Sequence, residues 1–93
     1  MSGGGWEGMN VDVVEQQSRQ LQQLAEQTKQ LITKIDGEVR RLAENWHGDD
    51  SKKYEQEWEG QHKQSLTQSA QILEQMGQTA QHQAQQQKQT SAG

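Results

Sequence analysis

Apolar side chains recur through the first half of the chain at intervals of three, four or seven residues, from Val14 to Trp46. In an α-helix these intervals place the side chains on one face, so the pattern predicts a helix over residues 11–46. Its apolar positions are Val14, Leu21, Leu24, Thr28, Leu31, Ile35, Val39, Leu42 and Trp46. Gly37 lies off this face and the pattern continues in phase beyond it, so we expect no break there.

The second half carries a similar series, which begins at Tyr54 and Trp58. It predicts a helix over residues 50–87, followed by a flexible tail over residues 88–93. The later positions of this face are His62, Ser65 or Leu66, Ser69 or Ala70, Leu73, Met76, Ala80 and Ala84. The chain contains no proline, as two helices of about 35 residues, each roughly 50 Å long, require.

Trp46-His47-Gly48 separates the two series and has the composition of a tight corner. Gly48 can adopt the positive φ that closes a helix without a Cβ clash, and Trp46 can end the apolar face. Three residues beyond it can cap the second helix by accepting its free N–H groups: Asp49, Asp50 and Ser51. We therefore predict a turn at residues 47–49 and an antiparallel helix-turn-helix hairpin of the all-α class.

The start of the chain is rich in glycine, and we expect a flexible leader over residues 1–10 in which Trp6 packs on the nearest helix. The first helix starts at Asn10 or Asp12. Asp12 and Glu15 have the spacing of a capping box, in which the glutamate returns to the N–H of the capping residue. The whole chain is thus predicted to form one small helical domain.

Only 28% of the residues are hydrophobic, and the mean hydropathy is −1.24. Two helices in contact along one seam bury too little apolar surface to offset the entropy of ordering them. We therefore infer that the hairpin dimerises into a four-helix bundle. Disorder and a continuous dimeric coiled coil through residues 47–50 are the alternatives. The residues assigned to the hairpin or dimer core are Leu21, Leu24, Leu31, Ile35, Val39, Leu42, Leu66, Leu73 and Met76.

Composition and spacing give no indication of catalysis or of a cofactor. The net charge of −4 does not favour nucleic acid, and no basic face favours an anionic membrane. The chain has no cysteine, and its histidines are too far apart to share a metal site on one helix face: His47, His62 and His82. No serine has a local base. We therefore expect no enzymatic activity and no metal, and we expect His62 in a helix interface.

Acidic and aromatic residues are concentrated around the corner. Between Glu44 and Glu59 there are six acidic residues and two basic ones. A solvated hairpin tip explains this cluster, and an acidic docking surface is the alternative. Three aromatic residues are expected to meet at the same tip, where they can fix the corner or anchor a partner: Trp46, Tyr54 and Trp58.

The central Trp46-His47-Gly48, the chain length and the absence of proline make the sequence similar to the Trp-X-Gly (WXG) family of small secreted proteins, the early-secreted-antigen (ESAT) type. Residues 51–58 resemble the start of the family's second helix, where a tyrosine and a later aromatic residue recur. A tryptophan near the N-terminus, here Trp6, occurs in some members. The resemblance covers nearly the whole chain.

The resemblance implies a hairpin that forms a homodimer, or a heterodimer with another WXG-family protein, as a four-helix bundle. It also implies export without a cleaved Sec signal by the type VII (ESX-type) system of actinobacteria and Gram-positive firmicutes. Residues 1–10 accordingly lack the cationic and apolar segments of a Sec signal peptide. The expected location is the cytoplasm before export and the cell surface or the medium afterwards, in a virulence-associated role.

The family's C-terminal Tyr-x-x-x-Asp/Glu signal, which the export ATPase reads, is not found in this sequence. Tyr54 is its only tyrosine, and no acidic residue follows Glu74. We therefore expect a passenger that reaches the ATPase through its partner, or else a homodimer whose signal is degenerate or trimmed. An intracellular adaptor or structural protein unlinked to secretion is the alternative function. The acidic, glutamine-rich surface argues against a membrane-active effector.

Overall fold

The structure, a computed structural model, describes residues 9–92 and the side chains of residues 9–90. Trp6 lies outside the described residues, as does the leader predicted over residues 1–10 except for its last two positions. The first arm is one helix, α1, which spans Val11–Asn45. The second arm consists of α2 (Asp49–Glu57), a π-helical turn (Trp58–His62) and α3 (Lys63–Ala92).

The two arms lie antiparallel, with α1 packed along α3, in a hairpin that measures 65 × 21 × 13 Å. The predicted all-α hairpin is confirmed. It is longer than the roughly 50 Å expected for helices of this length, because the second arm continues to Ala92 through residues predicted as tail. No helix within the described residues has an apolar stretch long enough to cross a membrane.

α1 begins after Asn10, whose side-chain Oδ1 accepts a hydrogen bond from the Val13 N–H at 3.3 Å. This bond decides between the two predicted starts, Asn10 and Asp12, in favour of Asn10. The carboxylate of Glu15, expected in a capping box, instead binds Lys88 of α3 at 2.7 Å. The start of α1 is therefore determined by a local contact, whereas Glu15 binds a residue of the other arm.

The corner occupies residues 46–48, between the end of α1 and the start of α2. Gly48 has a φ of 131°, a conformation that is open to glycine but costly for other residues. Its carbonyl accepts the first hydrogen bond of α2, from the Lys52 N–H at 3.3 Å. Gly48 is thus the N-cap residue, and the three expected caps lie within the first turn of α2: Asp49, Asp50 and Ser51.

The seam between α1 and α3 is built mostly from small residues seven positions apart. Its buried members are Ser18, Ala25 and Ile32 on α1 and Ala70, Gly77 and Ala84 on α3. Seven residues are close to two helical turns, so each set forms one line that faces the other arm. A Cβ on Gly77 would meet the Ser18 carbonyl oxygen at 2.9 Å and the Gln22 Cγ at 2.7 Å. The arms therefore approach to backbone contact, which leaves little room for large side chains.

Candidate functional site

Polar pairs between the arms close one edge of the seam, which we call the polar edge. The α1 members of these pairs follow the line of seam residues by four positions, which places them about 40° to one side of it. The pairs are Glu15–Lys88, Gln22–Gln81, Lys29–Glu74 and Asp36–Lys63. Because each of these residues has a partner of opposite charge or of like polarity in the other arm, the pairs hold the two arms in one register.

Two lysines of the polar edge are held in their charged form by their partners. The Glu74 carboxylate hydrogen-bonds Lys29 and raises the pKa of that lysine above its ordinary 10.5. Glu15 raises the pKa of Lys88 in the same way. The polar groups of this edge are thus paired within the chain, so they are less available for binding another protein than the side chains on the opposite edge.

Large apolar side chains are exposed on that opposite edge, which we call the apolar face. Leu24 and Leu31 each precede a seam residue by one position, about 100° to the other side, and are 55% and 56% exposed. Leu42 and Met76 are 57% and 56% exposed. Monomeric proteins rarely leave a continuous row of large apolar groups in water. The apolar face is therefore the strongest candidate for a protein interface.

The residues predicted as hairpin or dimer core lie on or beside the apolar face, and none of them is fully buried. Leu24, Leu31, Leu42, Leu66 and Met76 are exposed, and Leu21, Ile35, Val39 and Leu73 are half-buried. Leu31, Ile35 and Leu42 line an apolar depression on α1, and Ile72 and Met76 line another on α3. Hydrophobicity does not single out the small seam residues. Only their spacing of seven could have indicated them.

The three aromatic residues expected at the corner meet around one cleft. The rings of Trp46 and Tyr54 are stacked, with centroids 6.4 Å apart and planes at 25°. Both remain accessible, Trp46 at 40% and Tyr54 at 58%. Trp58 lines the same cleft and is half-buried. The tip therefore presents an exposed aromatic pair within the acidic stretch of residues 44–59.

Asp36 connects this tip to α1. Its Oδ1 accepts a hydrogen bond from the Trp58 Nε1–H at 3.0 Å, and its Oδ2 pairs with Lys63 at 3.2 Å and Arg40 at 3.3 Å. The bond from Trp58, then that from Lys63 and the charge of Arg40, hold the pKa of Asp36 below its ordinary 3.8. Sequence reasoning missed this site, because Trp58 lies 22 residues away in the other arm.

The π-helical turn adds one residue to the second arm. The Lys63 N–H bonds to the carbonyl of Trp58, five residues back, whereas an α-helix bonds four residues back. The helical phase therefore changes by about 100° across the turn. The turn thus interrupts the helix predicted over residues 50–87, and His62, expected in an interface, is exposed at the end of the turn.

Within residues 9–92, no group of three or more histidine, cysteine or acidic residues is placed to hold a metal ion.

A family model described as "WXG100: Proteins of 100 residues with WXG" matches residues 8–91, a range that includes both arms and the corner. No curated protein and no solved structure matches the chain. The chain therefore belongs to the WXG100 family, small helical proteins that are associated with type VII secretion and are not known as enzymes.

Proposed function

We propose that this protein is a non-enzymatic substrate of a type VII (ESX-type) secretion system and travels as a dimer. Membership of the WXG100 family supports the link to secretion. The apolar face supports the dimer, because Leu24, Leu31 and Met76 are each more than half exposed in the single chain. This face is the observation on which the proposal chiefly rests.

The partner is a second WXG-family hairpin, either another copy of this chain or a related protein. Two hairpins that join their apolar faces form a four-helix bundle with the large side chains at its centre. The polar edges then lie outside, where their charged pairs stay hydrated. In this arrangement the small seam residues hold each hairpin together, and the large residues join the two hairpins.

The tip is the surface that we assign to the export machinery. Trp46 and Tyr54 are exposed there, and tryptophan and tyrosine are the side chains that most often anchor protein interfaces. Pairing through the apolar face leaves the tip free at one end of the 65 Å hairpin. The export ATPase is engaged directly or through the partner, and the protein then acts at the cell surface or in the medium.

Export is tested by expressing the tagged chain in a host with a type VII system, alone and with a candidate WXG-family partner. We expect the chain in the medium when the export ATPase is functional and only inside the cells when it is inactivated. Leu31→Glu should abolish export by preventing pairing. Gln30→Glu, a change at an exposed position off the apolar face, should not. A chain retained under every condition would instead indicate an intracellular helical-bundle adaptor.

A further inference from the structure

Trp58 and Lys63 reach the same carboxylate from positions five residues apart. Trp58 binds Asp36 through its indole N–H at 3.0 Å, and Lys63 binds it through Nζ at 3.2 Å. In a regular α-helix, side chains five residues apart point about 140° away from each other. In the π-helical turn, where the Lys63 N–H bonds to the Trp58 carbonyl, five residues make little more than one turn, so the two side chains lie on the same side of the helix. The turn therefore allows both residues to bind Asp36.

The π-helical turn also sets the rotation of α2 relative to α3. α3 is fixed against α1 by the seam, where Gly77 meets the backbone of Ser18. α2 lies on the other side of the turn, so its rotation depends on the extra residue. In a continuous α-helix, α2 would be rotated by about 100°. That rotation would carry Tyr54 away from the ring of Trp46.

We propose that Asp36 is a positioning residue, whose carboxylate holds the π-helical turn and so sets the orientation in which Trp46 and Tyr54 are presented to a protein partner. This rests on the proposed function only in treating the tip as a surface for partners. π-helical turns are rare within α-helices. Charge-assisted bonds to a carboxylate that is only 14% exposed stabilise this one.

The groups that face Asp36 keep its carboxylate ionised. Arg40 faces it from α1, and Trp58, Glu59 and Lys63 face it from the second arm. Glu59 also binds Lys63, at 3.5 Å. Two cations and one N–H donor thus surround a single carboxylate, with one further acid nearby. Asp36 can therefore hold Trp58 and Lys63 throughout the neutral pH range.

NMR contacts measured on the full chain test this positioning role. The variants are Asp36→Ala, a deletion of Gln61 that removes the extra residue, and the two changes combined. Asp36→Ala should abolish the contact between the rings of Trp46 and Tyr54 and give α-helical contacts in place of the π-helical turn. The deletion should abolish the same ring contact, and the combined variant should show no further change, since both act through one element.

Two further variants serve as controls. Glu38→Gln removes an exposed acid of α1 that pairs with Arg41, and it should leave the ring contact at its wild-type strength. Asp36→Glu keeps the carboxylate and should restore part of the contact that Asp36→Ala loses. Persistence of both the ring contact and the π-helical contacts in Asp36→Ala would overturn the proposal.

Circular dichroism shows whether each variant still folds. If Asp36→Ala unfolds, Asp36→Asn, which removes the charge but keeps an oxygen acceptor, is measured for the same two outcomes. The export assay separates this proposal from the proposed function. If Asp36→Ala rotates the tip but is exported as well as the wild-type chain, then the proposed role of Asp36 in presenting the tip to a partner is wrong. A wild-type chain that is not exported would refute the proposed function, while the ring contact would still decide whether Asp36 holds the turn.

Discussion

Gly77 of α3 faces Ser18 of α1 so closely that a Cβ on Gly77 would lie 2.9 Å from the Ser18 carbonyl oxygen. At this point the arms are joined by backbone contact and short side chains, and Ile32 is the one large apolar residue among the buried members of the seam. Leu24, Leu31 and Met76, each more than half exposed, remain available to a partner. The interactions within a hairpin are therefore distinct from those that can join two hairpins.

Gly77→Ala is expected to destabilise the hairpin by about 1–3 kcal/mol, although alanine favours a helix over glycine by about 1 kcal/mol. The new methyl group would lie too close to the Ser18 carbonyl oxygen, which cannot move without shifting the backbone of α1. Gly37→Ala is the matched control, because its Cβ would meet only Arg41, at 3.9 Å. That change should stabilise by roughly 0.5–1 kcal/mol. Urea unfolding measures both variants, and equal effects would contradict the close contact at Gly77.

Leu31→Glu should convert the proposed dimer into a monomer. A carboxylate in the middle of the apolar face would have to lose its hydration when two hairpins pair, so we expect association to weaken at least about 100-fold. Size-exclusion chromatography with light scattering over a range of concentrations measures the change. Gln30→Glu adds the same charge at an exposed position off this face and should leave the mass unchanged. A Leu31→Glu chain that still pairs would place the interface elsewhere.

Gly48→Ala should destabilise the hairpin through the backbone alone. Gly48 has φ 131° and ψ 176°, a region that only glycine adopts readily, and the expected cost is about 1–3 kcal/mol. Its Cβ would meet nothing within 4 Å, so a steric clash cannot explain the loss. His47→Ala, at the exposed neighbouring position, should stay within about 0.5 kcal/mol of wild type. Thermal unfolding compares them, and an unchanged Tm for Gly48→Ala would show that the corner can adopt another conformation.

Acid should weaken the hairpin through Asp36. The bond from Trp58, followed by that from Lys63, holds the pKa of Asp36 below its ordinary 3.8 in the folded chain. As the pH falls below that ordinary value, the unfolded chain binds the proton first, so the free energy of unfolding falls until the pH passes the lowered pKa. Urea midpoints between about pH 5 and pH 2 measure this slope.

Trp58→Phe is the variant that tests the contribution of Asp36 to the acid slope. It removes the indole N–H that binds Asp36, so the urea midpoint should fall less steeply with pH than in wild type. Trp46→Phe is the control, because it changes an aromatic ring of the tip and leaves the bonds to Asp36 in place. Identical slopes in wild type and Trp58→Phe would mean that the bond from Trp58 does not set the pKa of Asp36.

The features that the sequence predicts well are those that arise within one or two helical turns. The three-to-four-residue period predicts both arms of the confirmed all-α hairpin, because it places apolar side chains on one side of each helix. Gly48 predicts the corner, because only glycine tolerates its positive φ. The cap at Asn10 is also a local contact, three residues from Val13 along the chain.

The tertiary structure alone decided which part of each apolar side faces the other arm. Leu24 and Ala25 are neighbours on one helix, and the period does not say which of them enters the seam. The close approach at Gly77 selects the small residue, because the distance between the arms depends on side-chain volumes on both helices at once. The π-helical turn is similar, since its partner Asp36 lies in the other arm. Local periodicity determined the helices, and contacts between distant residues determined the surfaces that they expose.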